Sequence, residues 1–392
     1  MRVPYWVASI RNCHAMEAIA PADPISAVTH SDPYPYYRAL ARSRPFHFDA
    51  SLKLWVAASA AAVGEVLDHP DGRVRPAAQP VPPALAGSAA GDLFGRLIRM
   101  NDGAAHAPLK AIVLRQMAAL DLADVRVRAQ TLAAALPRVE RDDSHEANRW
   151  MFTLPVLTLA DLLGLPLERD ADGHVSTRVA GFVATFAAAM SPLASPADVE
   201  AGVAAARWLT QWAGDHATDG DGLLQRLAQA AGEADIDPAA LTANAIGLMI
   251  QACEATAGLI GNTLVYLGRS GSRDADIDAS VDLVARIDPP VQNTRRFMAA
   301  DATLCGQAVS AGDAVLVLLA AAAHDSTAAV QARPWTFGAG RHGCPGDALA
   351  RVLAAGTVQA LLARDVRPDR LLGSLSYRPS VNARIPNFQP IH

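Results

Sequence analysis

The sequence predicts a mainly α-helical protein with a small β region. Long alanine-rich segments with few runs of β-branched residues favour helices. Two short stretches, 46–58 and 300–317, combine strand-forming residues with turn residues and predict the β region. Hydrophobic residues make up 51% of the 392 positions, which indicates a large buried core in one domain or two.

Composition also excludes several classes of protein. The formal net charge is -5 and no segment is rich in Lys or Arg, so we expect no nucleic-acid partner. Residues 1–15 contain no apolar run of about 20 residues, so we expect neither a membrane anchor nor a signal peptide. Lack of C-x-x-C spacing argues against a disulfide framework or structural zinc site and fits a reducing cytoplasm; the cysteines are Cys13, Cys253, Cys305 and Cys344.

The first hundred residues predict a mixed region. Residues 32–44 indicate a short capped helix, and 46–58 indicate a β-hairpin. Ser59 is suited to cap the start of a helix that runs to about His69. Residues 71–100 are rich in Pro, Gly and Ala, so we expect a long irregular connection there.

The middle of the chain predicts a series of helices, at 106–120, 150–166, 174–192, 197–217 and 238–268. The last has Asp237 as its N-cap, and about thirty residues would span roughly 45 Å, enough to cross a domain. Gln251, Glu254 and Thr256 interrupt its apolar centre. A buried carboxylate is costly unless it has partners or a shifted pKa. A solvent-facing strip is the alternative interpretation.

A loop at Phe337–Gly346 presents one cysteine just before a predicted helix, 347–362. Its glycines permit tight turns and close approach to a flat ligand. Free N–H groups at the helix start favour the thiolate form of Cys344, which suits haem iron. A glycine-rich turn around an inert buried cysteine is the alternative.

This loop resembles the haem-ligand loop of the cytochrome P450 family. The family pattern F-G-x-G-x-[H/R]-x-C-x-G is matched at Phe337, Gly338, Gly340, His342, Cys344 and Gly346. The resemblance implies a P450-like single domain over 32–392, after an N-terminal extension at 1–31. It also implies haem b between the long helix and this loop, with Cys344 as the iron ligand and Phe337, His342 and Gly346 beside the cofactor.

Three cationic or donor side chains are candidates for binding the haem propionates. His106 and Lys110 are four residues apart, so they share one face of a helix and are able to hold an anion. The family pattern here is H-x-x-x-R, and Lys110 keeps the charge but loses the bidentate fork of arginine. Arg296 falls on the family's propionate-binding arginine. Ordinary surface charges are the alternative for all three.

The long helix departs from the family pattern A-G-x-[D/E]-T-T. Glu254 matches the acid, whereas Ala255 stands at the family's proton-delivering threonine and Thr256 follows it. The resemblance makes Glu254 and Thr256 the candidate catalytic residues, since an acid and a hydroxyl here deliver protons. Three explanations stay open: Thr256 acts from a shifted helix, water or a substrate hydroxyl relays protons, or ordinary dioxygen activation does not occur.

The family's E-x-x-R motif is also incomplete. Arg286 matches the arginine, but Leu283 stands at the glutamate. A buried arginine without a partner is costly, so we expect a replacement acceptor, with Asp282 as one candidate. The segment between Asp325 and Phe337 has about half the family's usual length. The two changes together indicate a specialised or a degenerate variant.

Three functional hypotheses follow from the resemblance. The first is a cytoplasmic, monomeric monooxygenase of secondary metabolism, with a ferredoxin-type electron donor and a hydrophobic small-molecule substrate. The second is a haem-thiolate enzyme that is driven by peroxide or acts as an isomerase or dehydratase, which Ala255 and Leu283 favour. The third is a non-catalytic haem-containing binding protein.

Overall fold

A computed structural model describes residues 20–103, 106–137, 142–217, 220–271, 275–329, 331–373 and 375–390. Most of this part is helical and its sheets are small, as the sequence predicts. The helices are α1 (Tyr34–Ser43), α2 (Ala60–Asp68), α3 (Ala89–Arg96), α4 (His106–Ala118), α5 (Leu122–Ala134), α6 (Asp143–Leu163), α7 (Arg178–Ala189), α8 (Pro196–Asp215), α9 (Leu223–Gly232), α10 (Pro238–Ser270), α11 (Ile277–Ile287), α12 (Leu319–Ala323) and α13 (Asp347–Ala363). The strands are β1 (Phe46–Asp49), β2 (Leu54–Ala57), β3 (Gly72–Arg73), β4 (Thr294–Met298), β5 (Ala302–Leu304), β6 (Gln307–Val309), β7 (Ala314–Val317), β8 (Leu375–Tyr377) and β9 (Pro386–Phe388).

The β region joins the start of the chain to its last third. β1 and β2 form the expected hairpin, and β2 then pairs in parallel with β7, which gives the order β1-β2-β7-β4-β3. The predicted N-cap of α2 is also confirmed, because the Ser59 side chain accepts a hydrogen bond from the Ala62 N–H. This sheet fixes β4, whose Arg296 is one of the candidate site residues.

Two sequence-based assignments need correction. The predicted irregular connection at 71–100 contains α3, because Ser88 caps that helix and Leu93 and Phe94 are buried. The helix predicted from residue 150 begins at Asp143, where Asp142 caps it. It ends before Gly164, whose left-handed conformation takes the chain out of the helix. In both cases the capping residue marks the boundary better than the apolar pattern does.

Helix α10 is the central element of the fold. Its 33 residues span roughly 50 Å, and it packs against α6, α11 and α13. Asp237 caps it as predicted, accepting from the Ala239 N–H. Within the described chain it is the helix that is long and apolar enough to cross a membrane, but 83% of its most apolar window is buried inside the protein. A core helix has this character without any membrane.

Packing continues across the predicted boundary at residue 32. Ala27 and Val28 are fully buried, and the Arg384 guanidinium donates to the carbonyls of Val28, His30 and Ser31. Arg384 is 1% exposed, and its Nε donates to Asp288 Oδ1 at 2.9 Å. Through its bonds to these three carbonyls, Arg384 joins the first described residues to the last part of the described chain. Residues 1–19 of the predicted extension, with Cys13, lie outside the described residues.

Candidate functional site

The cysteine loop is closed by its own backbone. Gly338 and Gly340 have positive φ angles of 64° and 62°, which glycine adopts without strain. The Cys344 N–H donates to the Phe337 carbonyl at 2.8 Å, and the Gly346 N–H donates to Cys344 Sγ at 3.3 Å. The thiol is therefore presented at the start of α13, where the sequence places it.

Burial decides the proton equilibrium of this thiol. It raises the pKa of Cys344, although the Gly346 N–H and the charges of Arg333 and Lys110 act to lower it. The Gly346 N–H at the helix start favours the thiolate, as the sequence predicts, but burial has the larger effect on the pKa. A coordinated metal cation would supply the missing positive charge, since metal binding deprotonates a thiol ligand.

Lys110 supports the cysteine loop from α4. Its Nζ donates to the Gly343 carbonyl at 2.7 Å, and burial lowers its pKa. Arg333 also donates to the Cys344 carbonyl and bonds to Asp347 at 3.0 Å. These two cations hold the backbone on both sides of the thiol. A contact between Lys110 and a propionate stays a prediction.

Three other candidate residues converge next to this loop. The rings of His106 and His342 lie 4.5 Å apart, and Arg296 is 4% exposed beside them. Three of their nitrogen atoms are buried without a hydrogen-bond partner: His106 Nε2, His342 Nδ1 and Arg296 Nε. An unsatisfied buried polar atom costs about 1–3 kcal/mol. An anion placed among them would recover this cost at Arg296 Nε and at a protonated His106 Nε2, and at His342 Nδ1 only when that ring carries a second proton. These residues therefore fit the propionates of a haem.

Asp102 organises this cluster, and the sequence reasoning did not identify it. Its carboxylate accepts from His342 Nε2 at 2.8 Å, from the Val74 N–H at 2.7 Å and from Arg341 Nε at 3.3 Å. Burial alone would raise the pKa of Asp102, but these hydrogen bonds and charges hold it at about 2. The bond to Nε2 leaves Nδ1 of His342 free for another ligand. Its position four residues before His106 was the available signal.

Burial also shifts the pKa values of two basic groups in the cluster, His106 and Arg296. It lowers the pKa of His106 to about 4, so this ring is neutral at pH 7. It lowers the pKa of Arg296 to about 10, so the guanidinium stays charged. The cluster thus offers one firm positive charge and neutral ring nitrogens to an anion.

The centre of α10 has an exposed face that includes Glu254. Glu254 is exposed and Ala255 and Gln251 are partly exposed, whereas Thr256 is 2% exposed. The helix is continuous from Pro238 to Ser270. Ala255 therefore contributes to the open face, and Thr256 is buried behind it.

Glu254 lies in a charged environment. Burial raises the pKa of its carboxyl, while the positive charges of Arg99 and Arg378 lower it. It also lines a pocket of about 390 Å³ together with Phe152, Arg378, Pro379, Ser380, Ile385 and Asn387. The acid can therefore exchange protons with a space that a water or ligand enters.

Arg286 has the replacement acceptors that the sequence required. Its two terminal nitrogens donate to the carbonyls of Gln331 and Ala332, each at 2.7 Å. Asp282 is not its partner, because Asp282 pairs with Arg351 at 3.1 Å. Backbone carbonyls of the short segment before the cysteine loop thus stand in for the missing glutamate.

Comparison with known proteins identifies similar sequences and folds. No family model matches the chain. It is 27% identical over 367 residues to Cytochrome P450 144 of Mycobacterium tuberculosis, covering 85% of this chain and 82% of that protein. It is 26% identical over 230 residues to Putative cytochrome P450 140 of Mycobacterium bovis, covering 52% and 51%.

Solved structures agree with these sequence relatives. One similar structure is that of P450BioI in complex with hexadec-9Z-enoic acid ligated acyl carrier protein. It superposes with a TM-score of 0.73 at 19% identity, over 90% of this chain and 96% of that one. CYP164A2 of Mycobacterium smegmatis with econazole bound gives 0.66 at 25% identity, over 93% and 96%. The overall fold is therefore shared.

Proposed function

Because the chain belongs to the cytochrome P450 family, whose cofactor is haem, we propose that it is a haem-thiolate monooxygenase acting on an apolar small molecule. One observation carries this proposal: three buried, unpartnered nitrogens of His106, His342 and Arg296 meet beside the loop that presents Cys344. Such a cluster is unfavourable by itself and becomes favourable when an anionic cofactor fills it.

The residues of this chain would hold the cofactor from two sides. Cys344 Sγ would ligate the iron, and His106, His342 and Arg296 would bind the propionates. Phe337 is 8% exposed, with the Arg333 and Arg351 guanidinium groups 6.0 and 5.7 Å from the centre of its ring. The Cβ of a side chain at Gly346 would lie 2.8 Å from Met117 Cε, the tip of a flexible side chain on α4, so the loop lies against α4 at this point.

The residues of α10 would control protons and substrate access. When bound, haem supplies the activation of dioxygen and the transfer of one oxygen atom. Glu254 would take protons from the adjacent pocket, since its carboxyl has a raised pKa and an open side. Thr256 is the second candidate proton donor, and it would have to act from a buried position.

A peroxide-driven oxidation is the second candidate function. Ala255 supports it, because the exposed position on α10 carries a methyl group where a hydroxyl would pass protons. Peroxide already contains both oxygen atoms and their electrons, so it places a smaller demand on proton delivery by the protein.

The cellular setting of the protein is a separate proposal. We propose a cytoplasmic monomer that receives electrons from a ferredoxin-type protein and works in secondary metabolism. Scattered cysteines and the family relationship support this setting. Size measurement of the purified protein and reduction by a surrogate ferredoxin test the monomer and the donor separately.

A reduced-CO difference spectrum tests the proposed cofactor site. We expect the red-shifted Soret band of a thiolate-ligated haem in the wild type and its loss in Cys344→Ser. A wild type without that band would exclude Cys344 as the thiolate ligand. The two candidate functions are then separated by comparing product formation from one substrate under two conditions. One reaction contains NADPH with surrogate redox partners, and the other contains hydrogen peroxide alone.

A further inference from the structure

Arg99 is presented from a rigid segment that sequence reasoning treated as irregular. The Ile98 N–H donates to Asn244 Oδ1 at 2.8 Å, and Asn244 Nδ2 donates to the Arg96 carbonyl at 2.8 Å. Asn101 Nδ2 donates to the Leu97 carbonyl at 2.8 Å from the other side. The backbone around Arg99 is thus clamped to α10, two to three turns before Glu254.

The Arg99 side chain faces an enclosed space. It has an exposed surface, yet burial among protein groups lowers its pKa. A side chain that lines a cleft or cavity between packed elements has both properties. The charges of Glu254 and Cys344 act on its guanidinium, which places Arg99 between α10 and the cysteine loop.

The Arg99 guanidinium has no direct partner in the described part of the chain. Within the described residues, it makes no hydrogen bond and no ion pair within 4.0 Å. The carboxylate of Glu254 acts on it only at longer range and also acts on a second guanidinium, that of Arg378. The five N–H donors of Arg99 therefore stay available.

Arg99 lies in a different electrostatic environment from the propionate cluster. The charges that act on Arg296 are those of Asp102 and Arg341, whereas those that act on Arg99 are Glu254 and Cys344. Arg99 is therefore a candidate for an anion on the Glu254 side of the cysteine loop.

We propose that Arg99 binds a carboxylate of the substrate, so that the protein selects small molecules with one acidic group on an otherwise apolar frame. This inference rests on the proposed function, because it places the substrate on the α10 side of the cofactor. The guanidinium fixes one end of the substrate by a bidentate, charge-assisted pair, and the apolar frame then extends along α10.

Iron-ligating probes test this assignment without knowledge of the natural substrate. The probes are three imidazolyl carboxylates: the propanoate, the hexanoate and the decanoate. Each is compared with its uncharged amide. The imidazole nitrogen binds the iron, and the chain length sets the distance between the iron and the carboxylate or amide. Soret titration gives a Kd for each probe. The readout is the ratio of the amide Kd to the carboxylate Kd in the wild type, Arg99→Leu, Arg99→Gln and Arg99→Lys.

We expect a ratio of about 10 to 100 for at least one chain length in the wild type, which is typical of a charge-assisted hydrogen bond. It should fall to about 1 in Arg99→Leu and Arg99→Gln, and stay between these values in Arg99→Lys. Arg96→Leu is the matched control, since Arg96 is three residues away and pairs with Asp237 at the surface at 2.5 Å. Its ratio should equal that of the wild type.

Two results would overturn the inference. One is an equal ratio in the wild type and Arg99→Gln at every chain length. The other is a loss of bound haem in both neutral variants with retention in Arg99→Lys, which would assign Arg99 to a propionate. If the reduced-CO band is absent from the wild type, the proposed function fails and this inference with it. A normal band with a flat ratio refutes the inference alone.

Discussion

Replacing Asp102 by Asn should destabilise the protein and loosen the cofactor site together. The carboxylate is 10% exposed and receives hydrogen bonds from His342, Arg341 and the Val74 N–H. An asparagine offers one oxygen acceptor, so either the Val74 N–H or His342 Nε2 would face an amide donor instead. His342 would then lose the partner that sets its orientation.

The magnitude follows from the pKa. The pKa of the Asp102 carboxyl is lowered from 3.8 to about 2 in the folded protein. A shift of that size corresponds to roughly 2–2.5 kcal/mol, at 1.36 kcal/mol for each pKa unit. Because the folded pKa lies below the unfolded one, this stabilisation is complete above about pH 5 and is lost as the pH falls toward 2.

Denaturant titration measures the effect. At pH 7, Asp102→Asn should lower the free energy of unfolding by about 2–3 kcal/mol, and the difference from wild type should shrink below about pH 4. Asp68→Asn is the control, because Asp68 is exposed and such surface changes stay within about 0.5 kcal/mol. Equal stability of Asp102→Asn and Asp68→Asn at pH 7 would refute the role assigned to Asp102.

Three further substitutions test other parts of the structure. Arg384→Met leaves the largely buried Asp288 carboxylate without its ion-pair partner and should lower the free energy of unfolding by about 3–5 kcal/mol, measured by thermal unfolding. Adding Asp288→Asn to the same chain should restore part of this stability. Arg286→Met removes two bonds to backbone carbonyls and should cost about 1–3 kcal/mol by denaturant titration; no change would exclude its supporting role. Glu254→Gln should uncouple electron consumption from product formation, whereas the buried Thr256→Val should change it little. Equal effects of both would show that Thr256 also carries protons.

Local signals predicted the parts of the structure that depend on short stretches of chain. Ser59 and Asp237 cap their helices, and the glycines of the cysteine loop adopt the turns that its pattern requires. Asp102 and Arg384 were missed because their partners lie some 240 and 350 residues away in the sequence. The spacing of Asp102 from His106 is a local signal, but it does not reveal His342 as the partner, and Arg384 has no comparable signal.

The two departures near the cysteine loop meet at Arg286. In the family pattern, a glutamate at the position of Leu283 would pair with Arg286; here the guanidinium donates to the carbonyls of Gln331 and Ala332. These two residues belong to the segment that leads into the loop at Phe337. A charged guanidinium forms strong hydrogen bonds with carbonyl oxygens, so the arginine keeps acceptors without the acid. Arg286 therefore still links α11 to the segment before the cysteine loop, as a paired arginine would.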